Sequence, residues 1–117
     1  MTEINREWIA SELCQLLVAL ASPGDIALDH SPPGSCRPDE LALDYDNFVH
    51  AFVGNFPDEI STQQRDALLL VNALFAAMSD EDLWTEAAVV SHSRWVEVRA
   101  AAQRALDVMS WRHGPLR

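Results

Sequence analysis

The sequence predicts an all-α fold, a single-domain bundle of about five helices, on the basis of three observations. Apolar residues recur every three or four positions along most of the chain, as they do on the buried face of a helix. No segment shows the two-residue alternation of a half-buried strand. The chain has 117 residues, of which 49% are hydrophobic, so one core of ordinary domain size can form. We therefore expect residues 1–117 to form one helical domain.

The first helix is predicted from an apolar set on one face, which would bury Trp8. Its members are Ile4, Trp8, Leu13, Leu16, Leu17 and Leu20. Ser22-Pro23-Gly24 should end it, because Pro and Gly interrupt the helical hydrogen bonds. Residues 22–38 hold four of the six prolines and two of the four glycines. We expect an irregular loop there, with room for a short helical turn around residues 25–28.

The second helix should begin at Pro38, whose ring suits the first helical position. Asp39 and Glu40 follow it and favour the positive end of the helix dipole. Gly54 and Pro57 should end the helix. Its predicted apolar face consists of Leu41, Tyr45, Phe48, Val49, Phe52, Val53 and Phe56.

Three further helices complete the prediction. Ser61 and Gln64 have the spacing of a capping box, so the third helix should begin there. The polar run at residues 79–82 breaks the pattern and can cap a short fourth helix over residues 83–90. The last helix should follow Ser93, with Trp95 on its buried face.

The charge is concentrated in the first half of the chain. Residues 1–59 contain 11 acidic residues and two Arg, a balance of −9, whereas residues 60–117 contain seven acidic residues and six Arg, a balance of −1. Such an imbalance produces a strong negative field that can steer a cationic partner. We therefore expect the protein to bind something basic, most simply another protein.

The candidate partner-binding residues are the acids of this half and one tyrosine. They are Asp25, Asp29, Asp39, Glu40, Asp44, Tyr45, Asp46, Asp58 and Glu59. Asp44, Tyr45 and Asp46 place two carboxylates around a phenol, a combination that can accept several hydrogen bonds from Arg or Lys. The alternative for any single acid is a solvated helix face. The arginines of the last helix either pair with this acidic half or form a separate contact surface.

Other functions find little support in the sequence. A net charge of −10 opposes binding to nucleic acid and to anionic membranes. Asp44-x-Asp46 starts like a calcium loop, but Phe48 stands at the next ligand position. The four histidines are scattered, and there is no glycine-rich phosphate loop. We expect no catalytic residues, no metal and no cofactor.

The sequence also bears on location. The N-terminal residues are acidic and lack the cationic start and apolar run of a signal peptide. The longest apolar stretch, residues 67–78, is too short to cross a bilayer and is typical of a buried helix. Cys14 and Cys36 do not make a disulfide framework, so we expect two free thiols in a reducing cytoplasm.

Parts of the chain resemble small α-helical bacterial immunity proteins, which neutralise toxin domains in polymorphic toxin and contact-dependent growth inhibition systems. The resemblance lies in the runs Asp44-Tyr45-Asp46-Asn47-Phe48, Phe56-Pro57, Ser91-His92-Ser93-Arg94-Trp95 and Val98-Arg99-Ala100-Ala101-Ala102. It implies a cytosolic, non-catalytic protein that binds one cognate toxin. Many such proteins are acidic because many of the toxins are basic nucleases. The Trp-x-x-Val-Arg-x-x-Ala arrangement also resembles the second half of a HEAT-type helical hairpin.

Three hypotheses follow. In the leading one, a monomeric acidic immunity protein docks its acidic loop and second helix on a basic toxin domain and covers the active site. In the second, a non-catalytic helical adaptor or regulator binds a peptide or a folded protein through an apolar or Arg-lined groove. In the third, Tyr45 and its flanking carboxylates form an enzyme site, which would require a buried polar pocket around them.

Overall fold

A computed structural model describes residues 5–32, 34 and 36–111, and it confirms the all-α prediction. The helices of this part are α1 (Arg6–Ala21), α2 (Gly24–Leu28), α3 (Arg37–Asn55), α4 (Thr62–Ala76), α5 (Glu86–Ser91) and α6 (Ser93–Met109). Two 3₁₀ turns, Pro57–Glu59 and Glu81–Trp84, connect them. No strand occurs in the residues that the structure describes.

The four long helices enclose one core. α6 packs against both α1 and α4, and α3 packs against both α1 and α4, so the four helices close around a common interior. Leu13, Leu41, Leu68 and Val98, one from each long helix, are fully buried there. Because burial of apolar surface is the main stabilising contribution, this shared interior holds the helices together. No helix in the described part of the chain has both the length and the apolar character of a membrane span.

Local capping chemistry explains where α4 begins. The Ser61 hydroxyl accepts a hydrogen bond from the backbone N–H of Gln64 at 3.1 Å, and the Gln64 side-chain oxygen accepts one from the backbone N–H of Ser61 at 2.9 Å. The predicted capping box is therefore confirmed. The Gln64 amide also donates to the backbone oxygen of Val108 at 3.2 Å, which ties the start of α4 to α6.

The predicted loop at residues 22–38 contains the short helix α2. Gly24 opens α2 and lies against the backbone of α5: a Cβ atom there would come within 2.5 Å of the Val89 oxygen. Only a residue without a side chain allows this approach. The expected helical turn near residues 25–28 is thus present, and it is packed against the rest of the domain.

The predicted fourth helix over residues 83–90 is wrong as a single element. Thr85 has an extended backbone, with φ −105° and ψ 157°, and separates the 3₁₀ turn Glu81–Trp84 from α5. Its hydroxyl accepts a hydrogen bond from the N–H of Ala88 at 3.1 Å, so Thr85 caps α5. The predicted start of the second helix is also shifted by one residue, since α3 begins at Arg37.

The prediction that Trp8 is buried is wrong, whereas that for Trp95 is confirmed. Trp95 is 3% exposed, but Trp8 is 54% exposed and rests edge-on against Phe48 of α3, with ring centroids 5.3 Å apart. Trp8 lies five residues before Leu13, about 140° around the helix. It therefore falls outside the stripe that α1 turns toward the core.

Candidate partner-binding surface

The predicted acidic residues do not form one patch, because α3 separates them. Asp25 and Asp29 lie on and just after α2, near the start of α3, whereas Asp58 and Glu59 follow its last turn. A helix of 19 residues is about 28 Å long at 1.5 Å per residue. The two ends of the set are therefore too far apart to act on a single side chain of a partner.

The acids within α3 face two different neighbours. Asp46 faces α4, since its Oδ1 accepts a hydrogen bond from the Asn72 amide at 2.9 Å. Asp44 lies about 160° away around the helix. It is one turn from Phe48, which contacts Trp8 of α1. The two carboxylates that flank Tyr45 in the sequence therefore cannot act on one group.

Tyr45 is a core residue, so its predicted role in partner contact is wrong. Its side chain is 0% exposed, and its hydroxyl donates a hydrogen bond to the Leu68 backbone oxygen at 2.6 Å. Burial raises the pKa of the phenol well above its ordinary value. The ring belongs to the apolar face of α3, midway between the directions of Asp44 and Asp46.

The arginines leave most of the acidic set unneutralised. Arg6 pairs with Glu59, and Arg37 pairs with Glu86 at 2.9 Å and, at 3.9 Å, with Asp29. Arg94 of α6 pairs with Glu97 on its own helix. In the described ranges, the acids of the set that make no ion pair are Asp25, Asp39, Glu40, Asp44 and Asp58. Of the two alternatives for the α6 arginines, pairing with the acidic half therefore does not occur among these residues.

The ion pair between Arg37 and Glu86 changes the pKa of the carboxyl but contributes little to stability. The guanidinium of Arg37 holds the pKa of the Glu86 carboxyl below its usual range, chiefly through their hydrogen bonds. The Glu86 side chain is half exposed, so this pair contributes little to stability. Arg37 also donates to the Leu28 oxygen at 3.4 Å, which fixes the end of α2 beside α3.

An apolar groove runs between α3, α4 and the 3₁₀ turn Glu81–Trp84, and we call it the α3–α4 groove. It consists of two adjoining depressions of about 310 and 230 Å³. Its lining residues are Asp39, Ala42, Leu43, Asp46, Asn72, Phe75, Ala76 and Trp84. Leu43 is 58% exposed, so a large apolar side chain stands open to water in both depressions.

Trp84 gives the groove a rigid aromatic wall. Its indole N–H donates to the Met78 backbone oxygen at 2.8 Å. Its ring lies 6.1 Å from that of Phe75 and 5.8 Å, edge-on, from that of Trp95. Trp95 is itself held by a hydrogen bond from its indole N–H to the Leu83 oxygen at 2.7 Å. The exposed part of the Trp84 ring is therefore fixed in place.

Two predicted acids, Asp39 and Asp46, form the polar rim of this groove. Asp46 also lies 3.4 Å from Nε2 of His50. Three more exposed acids, Asp80, Glu81 and Asp82, closely precede Trp84 in the chain. From the sequence, this run is expected only to cap a helix. Leu43 was the signal in the sequence for this groove. It lies two residues from both Leu41 and Tyr45, so it is on the side of α3 opposite to those core residues.

A second hollow lies between α1 and α2. Its volume is about 470 Å³, and Cys14, Val18, Ile26, Asp29 and His30 are among its lining residues. The Cys14 thiol donates to the Trp111 oxygen at 3.6 Å, and burial raises its pKa, which favours the protonated thiol. Cys14 and Cys36 are both free, as predicted.

Neither a metal centre nor a known relative identifies the site. Among the described residues, no three His, Cys, Asp or Glu side chains are grouped so that they could hold a metal ion. Comparison with protein-family models, with curated proteins and with solved structures finds no match for this chain. What the protein binds must therefore be inferred from the chemistry of its surfaces.

Proposed function

We propose that this protein is an acidic immunity protein that binds a basic toxin domain and neutralises it by covering its active site. One observation carries the proposal: the carboxylates of residues 25–59 are largely unneutralised by the arginines that the structure describes. Unneutralised like charges on one domain lower its stability through mutual repulsion. A cationic partner surface supplies the missing counter-charge.

The mechanism combines long-range and short-range contributions. The negative field raises the rate of encounter with a basic domain, whereas apolar contacts determine how long the complex lasts. Asp and Glu side chains would occupy the positions of substrate phosphates on the toxin's Lys and Arg residues. The two free cysteines suit a reducing cytoplasm, where such a complex would form.

Co-expression with the toxin domain encoded next to the gene for this chain tests the proposal. We expect the chain to restore growth to cells that produce the toxin, and to co-purify with it in a one-to-one complex. A catalytically inactive toxin domain should bind equally well, because occlusion needs no turnover. A gene neighbourhood without a toxin, or a toxin that kills despite the presence of the chain, would contradict the proposal.

A triple variant, Asp39→Asn with Asp44→Asn and Asp46→Asn, tests the role of charge. These substitutions preserve side-chain shape, and asparagine at position 46 keeps an oxygen that can accept from Asn72. If acidic recognition holds, toxin affinity should fall by about tenfold or more, since close charge pairs across interfaces couple strongly. The circular dichroism spectrum and melting temperature of the variant serve as the control for folding.

The α3–α4 groove favours a second candidate, a helical adaptor that binds a peptide or a folded protein. Its lining is mostly apolar, and Leu43 and Trp84 provide an anchor for a partner side chain. An adaptor would bind its partner without inhibiting it. The partner of an adaptor would therefore stay active in the complex, whereas an immunity protein would abolish the activity of its partner.

A further inference from the structure

Asp39, Leu43 and Asp46 form one line along the α4 side of α3. Leu43 follows Asp39 by four residues and precedes Asp46 by three, so the three side chains share a helix face. Their positions rise by 1.5 Å per residue, which places the two carboxylates about 10.5 Å apart along the axis. An exposed leucine thus stands between two negative charges at a defined spacing.

Of an α-helix and a β-strand, only the helix matches this spacing on a single face. In a second helix, residues i and i+7 are also about 10.5 Å apart, and residues i+3 and i+4 lie between them on the same side. In a strand, residues about 10 Å apart are three positions apart and point to opposite faces. A helix with cations at i and i+7 and apolar residues between them is therefore the complementary segment.

The apolar part of the groove is ready to bind without rearrangement. The Trp84 ring is held by its own hydrogen bond and by two aromatic neighbours, so covering it breaks no bond and orders no side chain. Leu43 is 58% exposed and gains by leaving water. Large, fixed aromatic side chains of this kind often dominate the energy of an interface.

The charge of the groove restricts its occupant. No arginine is among the residues that line the two depressions. Within the described ranges, Asp39 makes no ion pair, and Asp46 has a hydrogen bond from the Asn72 amide and an ion-pair distance to His50. A second copy of this chain also has a net charge of −10, so the groove would repel it. The complementary partner is cationic.

We infer that the α3–α4 groove is the docking site for a basic amphipathic helix of the partner protein. The helix places a leucine-like or aromatic side chain between Leu43 and Trp84. It places Lys or Arg residues, seven positions apart, against Asp39 and Asp46. The inference rests on the proposed function and names the segment of the basic partner that the groove recognises.

A synthetic helical peptide of about 18 residues tests the inference, with Arg at i and i+7 and Leu at i+3 and i+4. We expect its addition to shift the NMR signals of the Trp84 indole and of the Leu43 and Asn72 amides in a saturable way. A peptide of the same composition with its leucines moved to the opposite face should not bind there. Absence of these shifts, or shifts centred on Trp8, would overturn the inference.

Matched variants separate groove contacts from general charge. Leu43→Gln, which keeps helix propensity, and the pair Asp39→Asn with Asp46→Asn should each weaken peptide binding by about tenfold. The control pair, Asp44→Asn with Asp58→Asn, removes the same charge elsewhere and should change binding by no more than about twofold. Equal losses in both pairs would mean that only net charge matters and would overturn the inference.

The same variants distinguish this inference from the proposed function. If the neighbouring toxin is neutralised equally well by the wild type and by Leu43→Gln, the toxin uses another surface and the groove inference fails alone. If the peptide binds in the groove but no toxin is neutralised, the proposed function fails and the groove remains a docking site.

Discussion

The phenol of Tyr45 joins α3 to α4 at the centre of the domain. Its hydroxyl donates to the Leu68 oxygen at 2.6 Å, and its ring lies 6.4 Å from that of Phe75. Because the side chain is fully buried, its ionisation would place a charge in apolar surroundings, which raises the pKa of the phenol. Burial also raises the pKa of the Cys14 thiol, for the same reason.

Alkaline titration tests the burial of Tyr45. It is the one tyrosine of the chain, and the chain has eight arginines and no lysine, so no lysine titrates in the same pH range. Above about pH 10 the unfolded chain loses the phenol proton while the folded chain keeps it, so the free energy of unfolding should fall as the pH rises. Phenolate absorbance should therefore appear together with the loss of helical circular dichroism. Phenolate that forms near pH 10 in a fully helical protein would contradict this.

Tyr45→Phe provides the control. It should lower the free energy of unfolding at neutral pH by about 1 kcal/mol, because one buried hydrogen bond is lost. Its stability should then decline less steeply than that of the wild type above pH 10, since the titrating group is gone. Chemical denaturation at several pH values measures both effects.

At the scale of the elements, two glycines have opposite surroundings. Gly24 lies where α2 meets α5, and an added Cβ would be 2.5 Å from the Val89 oxygen and 2.6 Å from Cα of Val90. Gly54 lies within α3, where an added Cβ meets nothing within 4 Å. The first glycine is required by packing between elements, whereas the second only weakens its own helix.

Alanine substitution at these two positions should therefore have opposite effects. Gly24→Ala must push α2 away from α5 and should lower the free energy of unfolding by about 1–3 kcal/mol. Gly54→Ala should raise it by about 0.5–1 kcal/mol, because alanine favours the helix and limits the unfolded chain. Urea denaturation of both variants measures the difference. Equal stability of the Gly24→Ala variant and the wild type would mean that the close approach is absent.

At the scale of the whole molecule, the distribution of charge matters more than its total. Asp25 and Asp29 lie near one end of α3 and Asp58 near the other, so these acids contribute to the general field. Asp39 and Asp46 lie beside apolar surface in the α3–α4 groove. The first group should act mainly on association rates, and the second should also act on dissociation.

Binding kinetics at several salt concentrations test this division. The rate of association with the cognate basic partner should fall by about tenfold or more from low to high ionic strength, because screening removes the steering field. The pair Asp44→Asn with Asp58→Asn should slow association and leave dissociation unchanged. Leu43→Gln should speed dissociation with little effect on association. An association rate that ignores ionic strength would count against the proposed function.

Helix positions were predictable from the sequence because the causes are local. Periodicity, the Ser61–Gln64 capping box and the Pro and Gly residues that stop helices all act between residues within about four positions. The break at Thr85 could not be predicted from helix propensity. A threonine can either continue a helix or cap a new one with its hydroxyl, and propensity does not distinguish the two.

The acidic character of the protein and its helical class were thus determined by the sequence alone, since composition and short-range hydrogen bonding suffice for both. The tertiary structure decided which side chains are available to a partner. It buried Tyr45, exposed Trp8 and brought Leu43 beside Trp84 of a separate element. These outcomes depend on how helices that are distant in the chain rotate and pack against one another. The apolar period of a single helix does not specify which elements will pack against it.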